Sequence, residues 1–154
     1  MSRLLAVDLG ERRIGLAIAD TASGSVRPLA TIRRSDTDRD GRSIGRLAAE
    51  QRADELVVGL PLNMDGTEGP QAEATRAWAA AVTELVGLPL AWRDERLTSE
   101  QAELRAGPAG RGRSGGPPSP AARAAYRARI DRLAAAAIAQ AELDARLAAR
   151  PYGR

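Results

Sequence analysis

The sequence contains no cysteine, histidine or phenylalanine, and all 23 of its basic residues are arginine, so lysine is missing as well. The lack of cysteine excludes disulfides, thiolate nucleophiles and thiolate zinc sites. The lack of histidine excludes a Ser-His-Asp triad and imidazole metal ligands. The lack of lysine excludes Schiff-base chemistry and a complete Walker A loop. The reactive groups open to an enzyme made from the remaining residues are carboxylates, hydroxyls and arginine. We expect such an enzyme to use a hard metal ion as well.

The charge pattern is less informative than the isoelectric point suggests. The formal net charge is only +3, although the pI is about 10.4. The high pI reflects arginine, which does not deprotonate at physiological pH. Its planar guanidinium suits phosphate because it donates two hydrogen bonds at once. The lack of lysine is also what the base composition of a GC-rich genome would produce, so net charge alone does not identify a nucleic-acid-binding protein.

The length of 154 residues, with 44% apolar residues, predicts one compact domain over residues 1–149. Residues 107–120 are rich in Gly, Pro and Arg, which predicts a mobile loop inside that domain, and residues 150–154 are expected to form a tail. No run of eighteen apolar residues occurs, so the sequence predicts no transmembrane helix. The apolar stretch near the first residue is too short for a signal peptide. We therefore expect a cytoplasmic protein with no membrane partner.

The order of predicted elements indicates the fold class. Apolar runs predict strands at 4–7, 14–19, 26–32, 55–59 and 88–92, the first two joined as a hairpin and the third at a sheet edge because it contains Pro28. Helices are predicted at 38–51, 70–86, from Thr98 onward, and from Ser119-Pro120 to about Leu147. This order predicts an α/β protein with a mixed five-stranded sheet and helices on both faces.

Three carboxylates occupy positions where burial would be costly. Asp8 ends the first apolar strand, and Glu95 follows the fifth, near the edge where open α/β sheets build their sites. Asp131 falls at the border of the apolar stripe of the last helix, which predicts half-burial against the sheet. Each has a structural alternative, because Asp8 could accept backbone donors in a turn with Gly10 and the other two could pair with arginines. If all three converge, their mutual repulsion calls for a divalent cation, and oxygen ligands favour Mg²⁺ or Mn²⁺.

Four sequence blocks together resemble the YqgF/RuvX family of ribonuclease H-like proteins, which are related to the RuvC resolvases. In order, the blocks are residues 6–17 (AVDLGERRIGLA), 59–61 (GLP) with Asp65 and Gly66, 94–98 (DERLT) and 129–135 (RIDRLAA). The resemblance covers nearly the whole chain and implies a ribonuclease H-like fold. Two departures are Ser99, where the family usually has a second Thr, and a loop before the last helix that bears Arg111 and Arg113 instead of Lys.

The resemblance implies that Asp8, Glu95 and Asp131 are a catalytic triad that binds Mg²⁺ or Mn²⁺ for phosphodiester hydrolysis. The implied function is processing of the 5′ end of pre-16S ribosomal RNA, so the expected partner is a ribosomal precursor RNA. The alternative within the family is a Holliday junction resolvase that acts on branched DNA, which would require a homodimer. The sequence leaves the oligomeric state open.

Several arginines are candidates for nucleic-acid binding. Arg12 and Arg13 lie in the turn beside Asp8, Arg96 follows Glu95, and Arg111 and Arg113 lie in the Gly/Pro-rich loop. The alternative for Arg96 is an ion pair with a neighbouring carboxylate, and for the others a solvated surface. Scarce aromatic residues predict recognition of backbone and shape more than of bases.

Two other function classes fit part of the sequence. A nucleic-acid-binding module of the same fold without activity would need no acidic triad, whereas this chain has three such carboxylates. A sugar kinase-like or actin-like ATPase shares the Asp-x-Gly of residues 8–10, but needs two such domains around its nucleotide.

Overall fold

A computed structural model describes residues 2–96, 98–107 and 115–149. In chain order its elements are β1 (Arg3–Leu9), β2 (Arg13–Asp20), β3 (Val26–Arg33), α1 (Thr37–Glu50), β4 (Glu55–Leu60), α2 (Pro70–Val86), β5 (Leu90–Asp94), α3 (Thr98–Ala106) and α4 (Pro120–Ala148). The strands form one sheet in the order β3-β2-β1-β4-β5. β1 pairs antiparallel with β2 and parallel with β4, while β2–β3 is antiparallel and β4–β5 parallel. The predicted mixed five-stranded sheet is confirmed.

Helices cover both faces of the sheet, as expected. Alternate residues of the buried strands point to opposite faces. Leu5, Val7 and Leu9 of β1 belong to the core beneath α1 and α2. Leu4 and Ala6 belong to the core beneath α4. Most of the side chains that α4 contributes to this core are alanine. Since alanine is small, α4 lies close to the strands it covers.

Capping and turn residues in the sequence correctly predicted where several helices and strands begin or end. The Ser119 hydroxyl accepts a hydrogen bond from the Ala122 amide, with Pro120 in the first turn of α4. The hairpin between β1 and β2 closes through the Gly10 amide, which donates to the Arg13 carbonyl at 2.9 Å. Pro28 lies in β3, the strand at one edge of the sheet.

The fifth strand differs from its predicted position by two residues. It was expected at 88–92 but runs over Leu90–Asp94. Pro89 has no amide to donate, and only its carbonyl takes part, accepting from the Leu56 amide at 2.8 Å. Pairing of Leu60 with Asp94 then extends the strand to the residue before Glu95.

A buried polar contact on the α1–α2 face was not predicted. Asp40 is 2% exposed and accepts hydrogen bonds from the Trp78 indole nitrogen at 3.2 Å and the Ser35 amide at 2.8 Å. Trp78 is thus a core residue, as expected, and Trp92 packs at the margin of the same core with the Arg76 guanidinium 4.9 Å from its ring centre.

Within the described ranges, no helix combines the length and apolar character that a membrane crossing needs. Residues 108–114 of the predicted loop and the predicted tail at 150–154 lie outside the described residues.

Candidate active site

Asp8 lies on the face of the sheet that α4 covers. It is the sixth residue of β1 and follows Leu4 and Ala6 on that face. The alternative role for Asp8, as an acceptor in a turn with Gly10, is not what the structure has, because the Gly10 amide donates to Arg13 instead. Asp8 is therefore directed at the helix and not at its own turn.

A glycine on β4 makes room for Glu95 to reach Asp8 across the sheet. Glu95 follows β5, and its amide donates to the Leu60 carbonyl of β4 at 3.1 Å. A Cβ atom at Gly59 would lie 2.5 Å from Ile138 Cδ1 and 2.8 Å from Glu95 Oε2. The glutamate side chain thus lies over the backbone of β4, the strand between β5 and β1.

A second glycine brings α4 close to Asp8 from the other side. Gly15 of β2 pairs directly with Asp8 of β1. A Cβ atom at Gly15 would overlap the backbone carbonyl of Asp131 on α4. The helix backbone therefore crosses β2 at the residue opposite Asp8, which brings Asp131 to the same end of the sheet.

Asp8 and Glu95 form a directly hydrogen-bonded pair of carboxyl groups. Burial, then the hydrogen bond to Asp8 and the charge of Asp8, raise the pKa of Glu95 to about 10. Burial also raises the pKa of Asp8, and the negative charge of Asp131 adds to this, while the hydrogen bond from Glu95 opposes it. Near neutral pH one proton is therefore retained between the two carboxyl groups, because two buried carboxylates in contact cannot both ionise at low cost.

Asp131 forms an ion pair with an arginine, whereas Asp8 and Glu95 pair with each other. Arg13 Nε lies 2.6 Å from Asp131 Oδ2, and the two side chains are 34% and 21% exposed. The half-burial predicted for Asp131 is confirmed, and so is the simpler alternative that it pairs with an arginine. In the described part of the chain, no group of three or more His, Cys, Asp or Glu side chains has an arrangement that could hold a metal ion.

All three predicted carboxylates nevertheless line one cleft of about 340 Å³. Pro61, Leu62 and Met64 of the segment after β4 contribute to its walls, and Arg96 lies on its rim. The structure thus brings together residues that are 87 and 36 positions apart along the chain (95 − 8 and 131 − 95).

The donor set of this cleft fits a hard divalent cation. Asp8 and Glu95 offer carboxylate oxygens that share a proton, so a cation could take the proton's place and be held by both groups. Asp131 could join them if its side chain left Arg13. Oxygen ligands of this kind favour a hard divalent cation.

The predicted arginines have different surroundings. Arg96 binds Asp94 through Nε at 2.7 Å and the Met64 carbonyl through Nη1 at 3.1 Å, so its predicted alternative of a neighbouring ion pair is confirmed. The hydrogen bond from Arg96 lowers the pKa of Asp94. Arg12 is exposed in the β1–β2 turn. Arg111 and Arg113 lie outside the described residues.

Sequence reasoning missed two arginines beside the cleft. Arg33 ends β3 and Arg34 follows it; with Arg12 and Arg13, they line a neighbouring groove. A usable signal was the short connection between the predicted strands at 14–19 and 26–32. Such a connection favours antiparallel pairing, which places the start of one strand beside the end of the other.

The strand order, the helices on both faces and the carboxylates under the last helix define a ribonuclease H-like fold. Thermus thermophilus RuvC bound to a Holliday junction substrate superposes with a TM-score of 0.54 at 16% identity, covering 96% of each chain. A fowlpox virus resolvase bound to Holliday junction DNA gives 0.57 at 13% identity, covering 94% of this chain and 99% of the resolvase. At these identities the likeness establishes the fold.

The family model named RuvX and described as "Holliday junction resolvase" matches residues 2–145, so the chain belongs to the RuvX family. An Anaeromyxobacter relative is 40% identical over 144 residues, which is 94% of this chain and 98% of the relative. A Rhodobacter capsulatus relative is 44% identical over 100 residues, which is 65% of this chain and 63% of the relative. Both carry the name "Putative pre-16S rRNA nuclease". The match thus spans somewhat under two thirds of the Rhodobacter protein's length.

Proposed function

We propose that this protein is a metal-dependent nuclease that hydrolyses phosphodiester bonds, with Asp8, Glu95 and Asp131 as its catalytic residues. The observation that carries the proposal is the direct contact of the buried Asp8 and Glu95 carboxyl groups in a cleft that Asp131 also lines. A retained pair of buried carboxyl groups is costly for a fold unless it binds a cation. The whole of residues 1–149 would act as one nuclease unit.

Asp8 and Glu95 would hold Mg²⁺ or Mn²⁺, and Asp131 would complete the ligand set. When bound, the cation supplies the Lewis acidity that lowers the pKa of a water molecule and stabilises the leaving oxygen. Asp8 is fixed by the ladder of β1 with β2, and Glu95 by its amide hydrogen bond to Leu60. Their rigid backbone positions the carboxylates before substrate arrives, which lowers the entropic cost of the reaction. Because the chain has no histidine, it is consistent that the mechanism needs no imidazole base.

Arginines would position the scissile phosphate over the carboxylates. Arg96 is held at the rim of the cleft by Asp94 and by the Met64 carbonyl, so its orientation is set in advance. Arg13 is 34% exposed and its partner is Asp131. A substrate phosphate would compete for Arg13 and so release Asp131 toward the other two carboxylates. Arg12, Arg111 and Arg113 would contact other phosphates of the nucleic-acid backbone.

The substrate we propose is ribosomal precursor RNA, cut during maturation of the 5′ end of 16S rRNA. The names of the Anaeromyxobacter and Rhodobacter relatives support it. Such a substrate would place the protein in the cytoplasm. The second candidate is branched DNA, favoured by the description of the family model. Resolution of a junction would need two active sites related by two-fold symmetry, and therefore a homodimer.

The decisive experiment compares cleavage of single-stranded precursor RNA, duplex DNA and a four-way DNA junction, each with Mg²⁺, with Mn²⁺ and with chelator. Asp8→Asn is the inactive control, since it keeps the shape of the side chain and removes its charge. We expect the wild-type protein to cut RNA with either metal and the variant to cut none of the substrates. Cleavage at the wild-type rate by Asp8→Asn would refute the catalytic assignment.

The competing idea of an inactive binding module makes a different prediction. A module without catalysis would not bind a divalent cation at these carboxylates. Calorimetric titration with Mn²⁺ should give binding to the wild-type protein that Asp8→Asn weakens strongly. Absence of binding at millimolar Mn²⁺, together with normal RNA affinity, would favour the module.

A further inference from the structure

A basic groove of about 580 Å³ lies beside the carboxylate cleft, on the outer side of β2. Its walls carry four arginines and a single carboxylate, namely Arg12, Arg13, Arg33, Arg34 and Glu11. The uncharged part of its lining comes from Thr31 and Ile32 of β3 and Ala128 of α4, although the Ile32 side chain packs against the core on the other face of the sheet. The groove has a larger volume than the carboxylate cleft, and none of its lining residues is aromatic.

Strand pairing places the four arginines together. Arg13 of β2 pairs directly with Arg33 of β3. One residue further, the Arg34 amide donates to the Arg12 carbonyl at 2.8 Å. Arg33 lies on the same face as Thr31, whose hydroxyl donates to the Ala128 carbonyl of α4 at 2.5 Å. Arg13 and Arg33 thus continue the α4-covered face of the sheet outward from Asp131.

Among the described residues, protein contacts engage two of the four guanidinium groups. Arg13 binds Asp131, and Arg34 donates to the Gly10 carbonyl at 2.9 Å. Arg12 and Arg33 are exposed and form no ion pair with any carboxylate in the part of the chain that the structure describes. Like charges this close repel one another, and a ligand with regularly spaced negative charges would relieve that repulsion.

We propose that this groove binds the sugar–phosphate backbone of the substrate strand on one side of the cleaved bond. The inference rests on the proposed nuclease function and extends it by assigning a path to the strand. Arg33 lies two strands away from Asp8, which corresponds to about 10 Å across the sheet. Arg12 and Arg33 would contact phosphates, and Ala128 of α4 would lie under the sugars. Without aromatic side chains the groove offers no stacking platform for bases, so recognition there would not depend on sequence.

The test measures binding of fluorescent single-stranded oligonucleotides by anisotropy over a range of salt concentrations, in the Asp8→Asn background to prevent cleavage. The variants are Arg33→Ala and Arg12→Ala, and the matched control is Arg46→Ala, an exposed arginine of α1 without an ion pair among the described residues. We expect each groove variant to bind about 3- to 10-fold more weakly and the slope of log K against log salt to fall by about 0.7. The control should match the parent.

Oligonucleotides that extend on only the 5′ or only the 3′ side of the cleavage point give the direction of the strand. Arg33→Ala should weaken binding of one of these two and leave the other unchanged. Equal losses with RNA and DNA would support contacts to phosphate alone, and larger losses with RNA would support added contacts to the ribose. Losses no greater than those of Arg46→Ala, or equal losses for both extensions, would overturn the groove proposal.

Failure of the groove proposal is distinguishable from failure of the nuclease proposal. If the wild-type protein cuts RNA, and the groove variants bind as their parent does and, when made with Asp8 intact, cut as the wild-type protein does, only the groove assignment is wrong. If the wild-type protein neither binds nor cuts any nucleic acid, the proposed function itself is wrong. Where the groove assignment is right, Arg33→Ala should raise KM for long substrates and leave kcat unchanged.

Discussion

The backbone carbonyl of Asp131 lies against the Cα of Gly15, so that no larger residue fits at that point of β2. Gly15 is also the direct partner of Asp8 in the antiparallel ladder. One glycine therefore sets how closely the last helix approaches the first strand. The distance between the carboxylates on those two elements depends on it.

Replacing Gly15 with alanine should push α4 away from β2 and destabilise the fold. The added methyl group would overlap a backbone atom, which a side-chain rotation cannot relieve, so we expect a loss of about 3 kcal/mol in the free energy of unfolding. Gly45→Ala is the control, since its Cβ would lie 3.8 Å from Val86 Cγ2, in ordinary contact, and should gain about 0.5 kcal/mol in a helix. Urea unfolding of both variants checks this, and equal stability of the two would contradict it.

Asp8→Asn should stabilise the metal-free protein while it abolishes cleavage. The wild-type fold must hold Asp8 and Glu95 in contact, and removal of one ionisable group relieves their repulsion. We expect a gain of about 1 kcal/mol at pH 8 in the presence of chelator. Asp38→Asn, on the exposed surface of α1, should give no gain. Loss of both activity and stability in Asp8→Asn would instead indicate a structural role for Asp8.

The stability of the metal-free protein should fall as pH rises through the neutral range. The pKa of Glu95 is raised from about 4.5 in the unfolded chain to about 10 in the fold, so between these values the folded state keeps a proton that the unfolded state has lost. The free energy of unfolding then decreases with pH, by at most about 1.4 kcal/mol per pH unit. Denaturant unfolding between pH 6 and pH 9 should show a shallower decrease for Glu95→Gln. Parallel curves for the two proteins would exclude a raised Glu95 pKa.

Arg13→Gln should tighten divalent metal binding in the absence of substrate. The 2.6 Å ion pair occupies Asp131, and its removal frees that carboxylate and takes a positive charge from the cleft. Because both side chains are partly exposed, the pair contributes no more than about 1 kcal/mol, which corresponds to an increase in Mn²⁺ affinity of up to about fivefold.

Calorimetry of Arg13→Gln needs a control for the loss of an arginine. Arg42→Gln breaks an ion pair of similar type with Asp38 on α1, at 3.0 Å, and should leave Mn²⁺ affinity unchanged. Weaker Mn²⁺ binding by Arg13→Gln would mean that Arg13 orients Asp131 toward the cation instead of competing with it.

The local parts of this fold could be predicted from sequence because their causes act over a few residues. Apolar runs marked β1, β2 and β4, Ser119 and Pro120 marked the start of α4, and the short linker at Gly10 marked a hairpin. The one clear displacement, in β5, arose because Pro89 interrupts the ladder and the pairing with β4 then runs two residues further.

The membership of the candidate site was also predictable, but its arrangement was not. Asp8, Glu95 and Asp131 stood out as carboxylates beside apolar segments, and the residue types missing from the chain left few other chemistries. Which of the three meet depends on Gly15 and Gly59, because only residues without a Cβ let α4 and Glu95 approach the sheet there.

The sequence by itself determined the chemistry open to this protein, since a chain without His, Cys or Lys has carboxylates and arginines for its reactive groups. Only the tertiary structure decided how these groups share their charges. The contact of Asp8 with Glu95, the pairing of Arg13 with Asp131 and the groove formed with Arg33 join residues up to 118 positions apart. Such contacts follow from strand order and from where a helix crosses the sheet, and no local pattern in the chain encodes either.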